Sequence, residues 1–312
     1  MKYLITVIGP TAIGKTTLSI KLAQHFGCEI ISADSRQFYR EMSVGTAVPD
    51  PEELASAKHH FIQHKSIFDT YNVGDFEKDA ISKLDELFSR NDYAVMVGGS
   101  GLYIDAILNG LDSFPDVPAA IRELVRGNYE KQGLSYLASE FEKHDPAYHR
   151  QLLSDNPQTL QNPHRLMRFV EVSIASGRPY SSYLNQKQTP RNFIPVIIGL
   201  EADRDLMYSH INERVDRMIS NGLINEAKSV YTYKDLNALQ TVGYRELFDH
   251  FDGKTTIEFA VSEIKKNTRR FAKRQLTWFK RKANAAWFDA ATDLTQITQY
   301  IDEFIDNRKQ LF

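Results

Sequence analysis

Residues 7–17 read VIGPTAIGKTT, and Gly9, Gly14, Lys15 and Thr16 within that run satisfy G-x-x-x-x-G-K-[ST]. Few short patterns constrain a chain so tightly. The stretch before it, YLITVI, has the continuous apolar character of a buried strand. Residues 16–26 carry Leu18, Leu22 and Phe26 at helical spacing. Between strand and helix, the glycines let backbone amides turn inward around an anion. Lys15 adds a point charge, the Thr16 hydroxyl can ligate Mg²⁺, and the helix N-terminus adds its partial positive charge. Such a loop binds phosphate or pyrophosphate.

The rest of the chain decides what surrounds that loop. Residues 28–33 (CEIISA), 93–97 (YAVMV) and 194–200 (IPVIIGL) are further short apolar runs separated by helical segments. This alternation predicts an α/β fold with a P-loop NTPase-like parallel sheet covered by helices on both faces. Ligands of such sheets sit at the carboxyl ends of the strands. The phosphate loop, Asp34 and the turn at 98–101 each follow a strand directly, so they are expected to converge. Residues 113–191 differ: they lack strand runs, carry helical stretches at 119–129 and 164–176, and are punctuated by prolines. They read as a helical insertion domain between two parts of a core, 1–112 and 192–312, whose final part is helical almost throughout.

The chain's 312 residues suffice for such a core with an insertion, and its net charge of −2 does not point to a nucleic-acid partner. The single cysteine, Cys28, excludes an internal disulfide and a cysteine-cluster zinc site. The apolar stretch after Lys2 is too short for a secretory signal, and no run approaches the roughly 20 apolar residues of a membrane helix. A cytoplasmic protein without membrane contact is expected.

A P-loop ATPase usually ends a strand with an acid that holds Mg²⁺, whereas YAVMV here runs into Gly-Gly-Ser-Gly. The acid follows the second strand instead, in Asp34-Ser35-Arg36-Gln37. There it can serve as a base for an incoming nucleophile, as in small-molecule kinases, or merely cap a turn. Local charge is more telling than total charge. Residues 265–282, KKNTRRFAKRQLTWFKRK, hold nine Lys or Arg and no acid. On a helix Ile264, Thr268, Phe271, Gln275 and Trp278 share one face, and the bases spread over the remainder, as a phosphate-backbone contact or a solvated face would have it.

Taken together, GPTAIGKT (9–16), DSRQFYREMSVGTAVP (34–49), VGGSGLYIDAI (97–107), NPHRLMRFVEV (162–172), RVDRMISNGLINEA (214–227), QTVGYREL (240–247) and TRRFAKRQLTWFKR (268–281) resemble the bacterial tRNA dimethylallyltransferases over essentially the full length. The resemblance implies transfer of a dimethylallyl group from dimethylallyl diphosphate to the exocyclic N6 amine of the adenosine 3′ of the tRNA anticodon. It implies a diphosphate loop formed by Gly9, Pro10, Thr11, Ala12, Ile13, Gly14, Lys15 and Thr16, with Mg²⁺ at Thr16 and Arg214 as a further contact. Asp34 matches the family's general base, with Ser100 and Lys15 beside it in the catalytic set. The tRNA anticodon stem-loop is expected to meet Asp34, Ser35, Arg36, Gln37, Ser100 and Arg122. It is also expected to meet His164, Arg165, Leu166, Met167 and Arg168, then Gln240, Thr241, Val242, Gly243, Tyr244 and Arg245. Along the basic stripe it would meet Lys273, Arg274, Gln275, Leu276, Thr277, Trp278, Phe279 and Lys280. A monomer is the expected state.

Ser100 stands where the family commonly has threonine, which keeps the hydroxyl, and Ile13 replaces a usually smaller residue. His59, His60 and His64 invite a metal reading, but no third ligand type is evident beside His60 and His64 and packing is the better expectation. The rival activity is an ATP-dependent small-molecule kinase, which leaves both the basic stripe and the insertion without a role.

Overall fold

The computed structural model describes residues 1–185 and 190–310. Its chain divides into two compact units, residues 1–109 with 191–312, and residues 110–190. In the first unit six strands, β1 (Tyr3–Ile8), β2 (Ile30–Ser32), β3 (His59–His60), β4 (Tyr93–Val97), β5 (Ile194–Glu201) and β6 (Ala286–Asp289), form one sheet in the order β3-β2-β4-β1-β5-β6. Every neighbouring pair is parallel, with Leu4 opposite Ala94 and Pro195 at the centre.

The central strands are apolar throughout because both faces are covered. All six residues of β1 are buried. Leu4 and Ile8 point into one layer and Tyr3, Ile5 and Val7 into the other. On the latter side pack α1 (Lys15–His25), through Leu18 and Leu22, and the C-terminal helix at Leu294–Lys309, through Ile297, Ile301 and Ile305. Between α1 and β4 in the chain come α2 (Pro51–Ser56) and α3 (Val73–Phe88); α4 (Gly101–Asn109) follows β4. Phe76 and Leu84 of α3 and Ile104 of α4 are buried in the opposite layer. Each such aliphatic or aromatic side chain contributes roughly 1.5–3 kcal/mol when withdrawn from water.

The second unit comprises α5 (Ala119–Gln132), α6 (Leu134–His144), α7 (Pro146–Asp155) and α8 (Pro163–Ser176), around a small core of Val125, Leu137, Phe141, Leu166 and Val170. Its boundaries fall at 110 and 190, slightly earlier than the composition suggests at 113 and 191. Arg191 belongs to the first unit because its guanidinium caps α4, donating to the Ala106 and Ile107 carbonyls, and pairs with Glu77.

After β5 come α9 (Arg204–Ser220), α10 (Leu223–Val230), α11 (Tyr244–Phe251), α12 (Ile257–Lys282) and, beyond β6, α13 (Leu294–Lys309). Two strands go beyond the sequence expectation. β3 spans only two residues, and β6 interrupts a region read as helical. Both are edge strands, held by a single neighbour. Among the described residues no helix is long and apolar enough to cross a membrane.

Candidate active site

The phosphate loop leaves β1 at the centre of the sheet and enters α1 through Gly14, whose φ of 93° lies in the left-handed region that glycine adopts without strain. Ala12 is also left-handed, at φ 63°. Although part of the Lys15 side chain reaches solvent, its ammonium turns inward and donates to the Pro10 carbonyl at 2.7 Å. Burial there, aided by the charge of Arg214, pushes the Lys15 pKa down to about 7 against the opposing pull of Asp34. Arg214, on α9, is likewise shifted downward by burial and held up by Asp34. These cations form a concentrated positive pole around one carboxylate.

Asp34 follows β2. Its Oδ1 accepts the Arg36 amide at 3.2 Å, so part of its role is to shape the turn. Ser100, at the end of β4, accepts the Ser35 amide at 3.0 Å and lies 3.0 Å from the Ser35 hydroxyl. The two strand ends are thereby tied together. Gln275 of α12 closes the third side. Its Oε1 accepts the Thr11 amide at 2.9 Å, and its Nε2 donates to the Gly99 carbonyl at 2.9 Å. One buried amide thus bridges the phosphate loop and the glycine turn.

Two cavities open from this junction. The larger, about 1120 Å³, is lined by the loop from Thr11 to Thr17 and by Asp34, His210, Arg214 and Arg217. The smaller, about 550 Å³, is lined by Ser35, Arg36, Ser100, Tyr103, Arg245, Arg274 and Trp278, among others. Thr11, Asp34, Arg214, Met218, Phe271 and Gln275 belong to both walls. An anion held in the first cavity and a planar base held in the second would therefore meet at Asp34.

The residues singled out from sequence occupy distinct positions. Thr11 through Thr16 line the larger cavity, while Gly9 and Pro10 sit behind them, Gly9 against the Leu200 carbonyl. Gln240, Thr241, Val242, Gly243 and Arg245 line the smaller cavity, whereas Tyr244 is buried and hydrogen-bonded to Glu226. The Arg36 guanidinium donates to the carbonyls of Asn237 and Ala238, and Gln37 donates to those of Thr46 and Ala47, so both brace neighbouring segments.

On α12 the shared face of Ile264, Thr268, Phe271, Gln275 and Trp278 lines the smaller cavity together with Phe279. Lys273 and Thr277 are exposed and Leu276 is half-buried. Several of the helix's bases have partners in the fold: Lys265 with Asp216, Lys266 with Glu263, and Lys280 with Glu201 at 2.5 Å. In the other unit Arg122, His164 and Arg165 are exposed, Arg168 lies over the Phe114 ring, and Leu166 and Met167 belong to its core.

Sequence reasoning passed over His210 and Arg217. They lie four residues before and three after Arg214, the spacing that brings helical side chains to one face. The three histidines near β3 have separate surroundings. His60 bonds Glu29 at 2.6 Å, His59 bonds the Ala57 carbonyl, and His64 sits among Phe38, Phe61 and Tyr71 with its pKa pushed down to about 4 by burial.

The IPP transferase family model matches residues 37–282. A tRNA dimethylallyltransferase of Flavobacterium johnsoniae is 62% identical over 97% of this chain and 98% of its own, and tRNA dimethylallyltransferase 1 of Phocaeicola vulgatus is 41% identical over 96% and 97%. The crystal structure of a full-length tRNA isopentenylpyrophosphate transferase from Bacillus halodurans superposes with a TM-score of 0.73 at 34% identity, covering 100% of this chain and 99% of that one. A eukaryotic dimethylallyltransferase acting on tRNA shares the fold, with a TM-score of 0.81 at 24% identity, over 98% and 80% of the respective chains. By sequence over nearly its whole length, and by the arrangement of its sheet, the chain belongs to the IPP transferase family.

Proposed function

We propose that this chain transfers the dimethylallyl group of dimethylallyl diphosphate to the exocyclic amine of the adenosine just 3′ of the anticodon in tRNA. The observation that carries this reading is the pair of cavities that share Asp34. The diphosphate lies in the larger cavity, with the loop amides, Lys15 and Arg214 around its oxygens. The adenine, turned out of the anticodon loop, enters the smaller cavity beside Trp278 and Ser100. The amine nitrogen attacks the allylic carbon, the carbon–oxygen bond to diphosphate breaks, and diphosphate leaves with the electron pair. Asp34 accepts the proton that the amine releases. Lys15 and Arg214 stabilise the charge that develops on the leaving oxygens.

Thr16, Thr17 and Asp34 bring only oxygen donors to the larger cavity, the hard-ligand chemistry that suits Mg²⁺. Thr16 would hold the ion, which when bound neutralises charge on the diphosphate. The exposed bases Lys273 and Arg274 of α12, and in the second unit the exposed Arg122, His164 and Arg165, are read as RNA contacts. Both cavities are built from one chain, so a monomer suffices, and a cytoplasmic site of action follows from the tRNA substrate. The kinase alternative has no support among the relatives, which are named as transferases of the dimethylallyl group.

The test is direct. Dimethylallyl diphosphate with Mg²⁺ should raise the melting temperature where ATP with Mg²⁺ does not, and unmodified tRNA should gain one dimethylallyl group by mass spectrometry. Stabilisation by ATP alone, with tRNA left unchanged, would overturn the reading.

A further inference from the structure

Between the two cavities runs a short segment that belongs to both. Ser43, Val44, Ala47 and Val48 line the larger cavity, and Gly45 and Thr46 line the smaller. These consecutive residues are the partition between donor and acceptor. Their backbone conformation is held from beneath by a residue that touches neither cavity. Glu226 Oε2 accepts the amides of Ser43 and Val44, each at 2.8 Å, and its Oε1 accepts the Gly45 amide at 2.8 Å and the Tyr244 hydroxyl at 2.6 Å. Three successive amides converging on one anion form a nest, here filled by the protein's own carboxylate. Four accepted bonds exhaust the strong acceptor capacity of a carboxylate. Each is charge-assisted and therefore stronger than a neutral bond.

The same carboxylate joins the partition to the acceptor wall. Tyr244 is fully buried, its ring lies so close that a Cβ on Gly45 would fall 2.6 Å from it, and its neighbours Gly243 and Arg245 line the smaller cavity. From the other side, Gln37 Nε2 holds the Thr46 and Ala47 carbonyls at 3.2 and 2.9 Å. Ala47 keeps a left-handed φ of 48°. The partition is thus clamped at both edges.

We infer that Glu226 is a positioning residue for the transfer reaction, setting the partition at residues 43–48 so that the allylic carbon and the adenine amine meet in line. This rests on the function proposed above. Glutamine at 226 keeps one acceptor oxygen but turns an N–H₂ toward amide donors, so part of the clamp must open. Aspartate keeps the charge and withdraws it by one methylene. Phenylalanine at 244 removes only the hydroxyl and leaves the three amides held.

The experiment measures steady-state transfer for wild type, Glu226→Gln, Glu226→Asp and Tyr244→Phe well below their melting temperatures, with amide hydrogen exchange of residues 43–45. Expected are faster exchange at those amides and a 10- to 100-fold fall in kcat/KM for both substrates in Glu226→Gln, with smaller falls in Glu226→Asp and Tyr244→Phe. If Glu226→Gln does not fold, Glu226→Asp carries the same comparison. A folded Glu226→Gln protein with kcat/KM within threefold of wild type for both substrates would overturn the inference, as would unchanged exchange at 43–45 in any folded Glu226 variant. Failure of wild type to transfer would instead overturn the functional reading, and the exchange data would still decide whether the clamp exists.

Discussion

The two cavities differ in how the chain makes them. The larger takes its phosphate-binding side from one contiguous run, Thr11 to Thr17, and is completed by the 43–54 segment and α9. The smaller draws on the turn after β2, the start of α4, the 240–245 segment and one face of α12. A phosphate needs amides and positive charge, which a single strand–loop–helix unit supplies locally. A base needs flat walls and hydrogen bonds from several directions, which only tertiary packing brings together. The donor half should therefore behave as a module with one dominant cation, and the acceptor half as a surface on which many residues share the energy.

The largest effect is expected where the halves meet. Asp34→Asn should fold, bind both substrates and lose turnover by roughly 10²- to 10⁴-fold, because asparagine can maintain the turn to the Arg36 amide but cannot take a proton. Single-turnover rates check this; near-normal turnover would leave Asp34 as a turn residue and uncouple the two cavities.

The next effect should be confined to the donor half. With the Lys15 pKa near 7, below its ordinary 10.5, the unfolded chain binds more protons between those values, so this group's contribution to donor-free stability rises with pH across that window. A bound diphosphate favours the charged ammonium and draws its pKa up again. At pH 8 donor binding should therefore take up protons, read by calorimetry in buffers of different ionisation enthalpy. Lys15→Met should abolish that uptake and melt no lower than wild type without donor. It should also lose most of the stabilisation, about 2.7 kcal/mol for wild type at a hundredfold excess over Kd. Its tRNA affinity should be unchanged. A Lys15→Met protein that still takes up protons on binding donor would mean the loop's cation lies elsewhere.

Smaller and graded effects are expected across the acceptor half. Arg274→Ala should lower the log–log salt dependence of tRNA binding by about 0.7 to 0.9, one phosphate contact. Lys280→Ala should lower it less, because Lys280 is already paired with Glu201. The smallest change belongs to Lys265→Ala, whose ion pair with Asp216 is largely exposed on the acid's side; both salt slope and melting temperature should stay near wild type. Equal slopes for all three would make the basic helix a uniform electrostatic surface and erase the distinction between a lining face and a paired one.

The same contrast governs what could be read from the sequence. The central strands were legible because burial on both faces leaves them continuously apolar, and the phosphate loop because its chemistry is local. β3 and β6 carry no comparable signal; two and four residues are too few for a period, and their pairing partner alone makes them strands. The lining face of α12 was legible in its 4-3-4-3 spacing, but the work of Gln275 was not, since its partners are Thr11 and Gly99. The sequence marks Arg36 and Gln37 only as RNA contacts and carries no sign of the carbonyls they brace, those of Asn237 and Ala238 and of Thr46 and Ala47. Glu226 looks from the sequence like an ordinary acid in the first turn of a helix.

The Gln275 bridge also has a meaning for the time course of synthesis. The Thr11 amide finds its acceptor 264 residues further along the chain. A nascent polypeptide emerging from its N-terminus can pair β1 with β4 while the loop amide is still open to water. Until α12 has emerged, only the pairing of β1 with β4 joins the loop to the glycine turn, and the amide bridge of Gln275 is missing. Ribosome-bound fragments ending before residue 275 therefore expose an unfinished cradle, and the last part of the site to be made is the one that closes the first.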